Sequence, residues 1–325
     1  MTFIATVIGK RGAAVIADSL VTTKIPTIEW RDFIDFLDKE GKKDPSSDIK
    51  LSPGDIMGLF KSRPSYTKDY EEKLFKFDDY TAITTAGSAS INGKRIGVLI
   101  RDIVEINKSD KNYNRKKIKT KVKNFCLELE KDIKAHIQSQ NSISRTRFIV
   151  THFEKKSRKT IAYKLDVNPS DKKDLLDTTY EFIRIDLAND YEKVISNGQN
   201  RISERILYGS LDDVYRLIPR LALRIFEDFK IPEDKIPKDY IDKLRSDRTV
   251  VSPKLFEEMQ IFKLSELSLQ QAVDLASLLM RIEIDFQTYT ENIPTVGGVI
   301  KVATLNENGF KFVSGHEVTK PNNIK

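Results

Sequence analysis

The chain opens on two nearly continuous apolar runs, Phe3-Ile4-Ala5-Thr6-Val7-Ile8 and Ala13-Ala14-Val15-Ile16-Ala17, on either side of Gly9-Lys10-Arg11-Gly12. Apolar runs around a tight glycine-bounded turn predict a β-hairpin. With so few polar positions, both faces of its sheet are expected to be buried. A second strand pair over 72–87 ends in Thr84-Thr85-Ala86-Gly87, and a last strand pattern runs from Val296 to Leu305. Between these the period becomes helical. A helix over 88–107 buries Ile96, Leu99, Ile100, Ile103 and Val104, with Ser90 as the expected N-cap. A longer one, over 113–140, buries Ile118, Val122, Phe125, Leu129 and Ile133. Strand patterns return at 146–153, 159–166, 180–187 and 192–196. Leu211–Phe229 is amphipathic, and Pro219 in its middle predicts a kink or a boundary. Ser268-Leu269-Gln270-Gln271 reads as a capping box opening a helix to Thr288. This order predicts an α+β fold in which helices cover two stacked antiparallel sheets.

Two stretches break the pattern and read as insertions in a single domain over 1–315. The first, 24–71, holds Pro26, Pro45, Pro53, Pro64, the only tryptophan, Trp30, and a charged run at 38–44. Its opening, Trp30 to Leu37, has helical apolar spacing. It reads either as a surface excursion or as a lid, because the strands it joins carry Asp18 and Lys73. The second covers 209–264, and its later part holds Pro232, Pro237 and Pro253. Residues 316–325 are expected to form a flexible tail.

Charge and rare residues narrow the chemistry. The formal net charge of +7 comes from 55 basic and 48 acidic residues, a densely charged surface and not a basic tail. The basic run from Arg115 to Lys123 is interrupted at helical spacing by apolar residues, so its lysines read as a solvated face and no nucleic-acid partner is expected. A single cysteine, Cys126, excludes an internal disulfide, fits a reducing compartment and reads as a small buried residue. His136, His152 and His316 have no metal-ligand spacing. No apolar run reaches the length of a membrane span. With no leader pattern ahead of the first strand, a cytoplasmic protein without a membrane partner is expected.

The first strand carries a candidate nucleophile. Removal of Met1, which a small second residue permits, would place a hydroxyl and a free α-amine on Thr2. A threonine hydroxyl needs an adjacent base, and an α-amine with a pKa of about 7.7–8.0 can take its proton. Taken alone, Thr2 reads equally as the first residue of a strand.

Four later motifs give that residue a context: Val15-Ile16-Ala17-Asp18-Ser19, Lys73-Leu74-Phe75, Thr84-Thr85-Ala86-Gly87 and Gly297-Gly298-Val299-Ile300. Together with Thr2, and in this order, they resemble the proteasome β-subunit family of N-terminal-nucleophile (Ntn) hydrolases, including the bacterial proteasome-type peptidases, over about half the chain. The resemblance implies a four-layer αββα sandwich and hydrolysis of a peptide or other amide through a threonyl ester, without metal or cofactor. It implies Thr2 as nucleophile, Asp18 and Lys73 as its acid and lysine, and Gly87 as the oxyanion donor. Lys73 is then expected to matter for turnover and not for folding. Thr22, Gly87 and Ala89 match positions that bind an extended substrate through the backbone. A homo-oligomer, as a ring or open ring, is implied as well. The chain departs from the family at Gly198-Gln199, where the family has a serine after the glycine. It departs again at Ile293-Pro294-Thr295-Val296, where the family has an aspartate and a serine before its Gly-Gly, and at Leu20, where the family often has an arginine. Thr295 and Ser196 are the candidates to compensate. Two other readings stand beside this one: a non-catalytic scaffold or ring subunit, and an Ntn amidase acting on a small molecule.

Overall fold

The computed structural model describes residues 2–43, 52–68, 71–140, 143–167, 182–188, 192–208, 211–232, 235–237, 239–246, 264–290 and 293–313. The fold is α+β. The opening hairpin is present as β1 (Phe3–Gly9) and β2 (Gly12–Ala17), paired from Ile4↔Ala17 to Gly9↔Gly12. β3 (Val21–Thr27) and β4 (Lys61–Lys68) form a two-stranded arm, and α1 (Trp30–Lys43) and α2 (Pro53–Leu59) lie between them in sequence. The helical spacing read from Trp30 to Leu37 falls within α1. Next come β5 (Leu74–Asp78), β6 (Thr81–Ala86), the short β7 (Ser90–Ile91) and β8 (Lys94–Arg95), α3 (Ile96–Lys108) and α4 (Ile118–Gln140). They are followed by β9 (Thr146–Glu154), β10 (Lys159–Val167), β11 (Ile183–Leu187), β12 (Val194–Gly198) and α5 (Arg201–Tyr208). The chain continues with α6 (Leu211–Asp228), α7 (Tyr240–Ser246), α8 (Leu269–Thr290), β13 (Lys301–Asn306) and β14 (Gly309–Phe312). The expected flexible tail and most of the later part of the second insertion lie outside the described residues.

Two five-stranded antiparallel sheets carry the core, in the orders β12-β1-β2-β13-β14 and β11-β10-β9-β6-β5. Strand parity explains why the first runs are apolar throughout. Phe3, Ala5, Val7, Ala14 and Ile16 pack under α8, whereas Ile4, Val15 and Ala17 face the second sheet, with Ala82, Ala86, Ile149 and Phe153. Within this interior layer the Thr6 and Thr151 hydroxyls satisfy one another at 2.7 Å. The outer face of the second sheet is covered by α3 and α4. The predicted stripes Ile96, Leu99, Ile100, Ile103 and Val104 and Ile118, Val122, Phe125, Leu129 and Ile133 are all buried there. Phe125 stands edge-on to both Phe77 (5.8 Å) and Phe148 (5.9 Å), an arrangement favoured by the ring quadrupoles.

Several local expectations are corrected. Ser90 does not cap α3: Asn92 and Gly93, both with positive φ, turn a miniature hairpin, β7–β8, and the helix starts only at Ile96 behind an N-cap arginine. Asn92 is tied to α4 through Asp132 Oδ1 and His136 Nδ1 (both 3.0 Å). The last strand begins at Lys301, because Gly297 and Gly298 hold positive φ and the chain bends through them. α6 continues through Pro219, so the proline marks no boundary. Of the basic run, Lys121 is not solvated: its Nζ is buried, 2.8 Å from Asp78 Oδ2 and over the Tyr113 ring. The capping box forms as predicted, with Ser268 and Gln271 exchanging backbone-to-side-chain bonds of 2.9 and 3.2 Å. Among the described residues no helix is long and apolar enough to cross a membrane.

Phe125→Ala should cost about 3–5 kcal/mol, because the cavity it leaves between α4 and the sheet is lined by rings that cannot collapse into it. Urea unfolding followed by circular dichroism measures this.

Candidate active site

Antiparallel register gathers the sequence-predicted residues at one end of the two sheets. The start of β1 is level with the end of β2 and the end of β12, since Ile4 pairs with Ala17 and Phe3 with Gly198. In the second sheet Leu74 pairs with Thr84, so the start of β5 is level with the end of β6. Thr2, Asp18, Lys73 and Gly87 therefore come from four strand ends. A cavity of about 470 Å³ opens there, lined by Thr2, Thr22, Lys73, Gly87 and Ala89 among others, with Asp18 behind it. The six residues singled out in the sequence lie at one place.

Thr2 is 3% exposed, and its carbonyl accepts the Gln199 N–H at 2.7 Å. That approach needs a glycine before Gln199: Gly198 has φ +90°, and a Cβ there would stand 1.8 Å from the Thr2 oxygen. Gly87 is constrained in the same way, with φ +120° and the Arg145 carbonyl 2.3 Å from where a Cβ would lie. The turn after it is tethered by the Ser88 N–H, which donates to Thr146 Oγ1 at 3.2 Å.

Asp18 and Lys73 form a buried pair. Lys73 Nζ lies 3.1 and 3.2 Å from the two carboxylate oxygens and 2.5 Å from the Leu20 carbonyl, so all three of its donors are engaged. Asp18 also accepts the Phe3 and Gly297 N–H groups, each at 3.2 Å. Burial pushes the Asp18 carboxyl up and the Lys73 ammonium down, while their mutual attraction and the two N–H donors oppose it. Lys73 thus gives up a proton more readily than a free lysine. It is also not separable from the fold, contrary to expectation, because removing one member of a buried pair costs about 3–5 kcal/mol.

The positions where the chain departs from the resembled family are filled by a different network. The Thr295 hydroxyl donates to Gln199 Oε1. Gln287 Oε1 accepts the Thr295 and Val296 N–H groups at 2.6 and 3.0 Å. One turn earlier on α8, Glu283 Oε1 accepts the Ser203 N–H and hydroxyl, both at 2.7 Å, at the start of α5. Glu283 and Gln287 thus fix the start of α5 and the 295–296 segment, and Thr295 in turn bonds Gln199, whose N–H holds the Thr2 carbonyl. The Ser196 hydroxyl accepts from Asn200 at 3.0 Å. Leu20 has no charge to offer, but its carbonyl serves Lys73. Sequence reading missed Glu283 and Gln287; the available signal was two polar residues, four apart, on the buried stripe of α8 beside Met280 and Ile284.

Cys126 is buried, and burial pushes its thiol up to about 12, so it is not a thiolate at neutral pH. Among the described residues, no cluster of His, Cys, Asp and Glu is arranged to hold a metal ion. No protein-family model matches the chain, and comparison with curated proteins finds no match.

Burial raises the Glu283 carboxyl above its ordinary 4.5. The folded state then holds the proton more tightly than the unfolded chain, so this group's contribution to stability is present at low pH and lost as pH rises through the raised value. Glu283→Gln keeps the acceptor for Ser203 and should lose less stability than the parent as pH increases from about 4 to 8. Urea midpoints of both proteins across that range provide the check.

Proposed function

We propose that this protein is a threonine-type amide or peptide hydrolase of the N-terminal-nucleophile class, with Thr2 as nucleophile once Met1 is removed. The single observation that carries the reading is that Thr2, Lys73 and Gly87 line one cavity with Asp18 buried behind Lys73. Support also comes from the order of the layers, because α8, the two sheets and α3 with α4 stack as in an αββα Ntn sandwich.

In this reading Thr2 Oγ1 bonds to the amide carbon and its proton passes to the Thr2 amine. The carbonyl electron pair moves onto oxygen, where the Gly87 N–H donates to it, a contribution of about 3 kcal/mol at comparable sites. Collapse breaks the C–N bond, and the leaving nitrogen takes the proton from the amine. A water then adds to the Oγ1 ester, gives its proton to the amine and releases the acid, and Oγ1 recovers its proton. The Lys73 ammonium, whose donors are held by Asp18 and the Leu20 carbonyl, stabilises the negative charge on Oγ1 through its field. Substrate enters as an extended segment between the 20–22 and 87–89 stretches, in the manner of an added strand. Thr22 is held for this by its hydroxyl bond to the Pro294 carbonyl (3.0 Å).

Thr2→Ala should be folded and inactive towards a peptide amide, whereas Thr2→Ser should keep measurable turnover. An N-terminally extended protein should be inactive, because its Thr2 nitrogen becomes a non-basic amide. Activity should rise with pH through the amine's pKa, below its free value of about 8, since Lys73 and the amine repel when both are charged. Intact mass reports removal of Met1. Turnover by Thr2→Ala at the parent rate would leave the scaffold reading in its place.

The chain is also proposed to assemble with copies of itself. α6 supports this: Leu217, Leu221 and Ile225 are exposed at four-residue spacing, and Phe229 just beyond is 76% exposed. Light scattering should give a mass above 37.3 kDa at micromolar concentration, and Leu221→Asp with Phe229→Asp should lower it. A monomer throughout would count against assembly.

A further inference from the structure

Two charged side chains on the cavity wall, besides Lys73, differ in how they are satisfied. Arg145 is held as a fork against Asp166, at 3.0 and 2.5 Å, and offers nothing further to a ligand in that direction. Glu71 is different. Its side chain is only 12% exposed, and the nearest cation among the described residues is Arg95, 3.9 Å away and largely in solvent. That distance is an ion pair without a hydrogen bond. Lys73 is close enough for its charge to be felt, but its three protons are committed to Asp18 and Leu20. The Glu71 backbone is fixed by its N–H bond to the Ser19 carbonyl (2.9 Å), so the carboxylate is held at the wall. Among the described residues no group donates a hydrogen bond to this carboxylate, so a cation entering the cavity can pair with it directly.

The rest of the wall fits such a cation on a long stem. Leu20, Val21 and Ile96 are aliphatic, and Gly87 and Ala89 leave room between them. A methylene chain can lie along these groups while its charged end reaches Glu71. We infer that Glu71 makes this cavity selective for a substrate with an arginine or lysine side chain on the acyl side of the cleaved amide. The inference rests on the amidase reading, and it names Glu71 as a specificity residue and not a member of the reacting set.

The test has two arms. In the first, Thr2→Ala protein, which cannot react, is titrated with acetyl-arginine amide and with acetyl-citrulline amide, its neutral isostere. The arginine compound should bind about tenfold more tightly or better, with the preference shrinking as salt is raised. In the second, the parent and Glu71→Gln are compared on matched peptide amides with arginine, citrulline or leucine at the acyl position. The parent should favour arginine over citrulline in kcat/KM, and Glu71→Gln should bring that ratio close to one. Equal binding of the two acetyl amides overturns the inference whatever the chemistry does. So does a Glu71→Gln variant that slows all three substrates equally and keeps the ratio, because Glu71 would then act through Lys73. Selective binding of the arginine amide without Thr2-dependent turnover would leave the cation site standing and remove the amidase reading instead.

Discussion

The buried contact between Asp18 and Lys73 is the constraint on which the rest of this end of the molecule depends. Asp18 immediately follows a strand of one sheet and Lys73 immediately precedes a strand of the other, so the pair joins the two layers at this end. The carboxylate also takes the Phe3 and Gly297 N–H groups, which locks the first strand and the Gly-Gly bend to the same point. An apolar pair of equal volume would stack the sheets as well or better, but it would accept no N–H groups. Those two donors would then be buried without partners. The polar pair therefore fixes one arrangement of four chain segments around Thr2, at the cost of two desolvated charges.

How much of this could be read from sequence follows from the range of the interactions involved. Parity and periodicity are local, and they located β1, β2, α3, α4 and α8 because each buries a regular stripe. The capping box at Ser268 was legible for the same reason. The Asn92-Gly93 turn is equally local, yet the helical stripe starting nearby obscures it, and Ser90, a cap by sequence pattern, begins a two-residue strand. The late start of β13 needed knowledge of the Asp18 contact, since the Gly297 N–H can donate to Asp18 only if the chain bends there. Lys121 looked solvated because its partner, Asp78, is 43 residues away. A long-range pair of this kind leaves no periodic trace.

The residues that hold Thr2 illustrate the same limit at the site. The ordered motifs singled out Thr2, Asp18, Lys73 and Gly87, all of which sit at strand ends where register gives them a common level. Gln199, Thr295, Gln287 and Glu283 could not be ordered in that way, because two lie in loops and two on a helix behind them. Their work is to satisfy backbone donors, and many combinations of amide, hydroxyl and carboxylate can do that. A shell defined by hydrogen-bond satisfaction can change its residue types while keeping its geometry, so departures from a family motif at these positions are weak evidence that the site is lost.

The demands on the cavity wall are stricter, and they connect the fold to chemistry. Gly198 and Gly87 stand where a Cβ would run into a backbone carbonyl, of Thr2 in one case and Arg145 in the other. Both have positive φ, so a side chain there would add backbone strain to the clash. These two glycines let the strand ends come within hydrogen-bonding distance of their neighbours, which keeps Thr2 nearly buried yet on the surface of a cavity. A threonine in that setting is shielded from bulk water on the protein side and open on the other. Lys73 lies at the junction of the two sheets, where burial lowers its ammonium against the pull of Asp18. The glycine-permitted approaches and this buried pair together set the surroundings in which the chemistry proposed for Thr2 would take place.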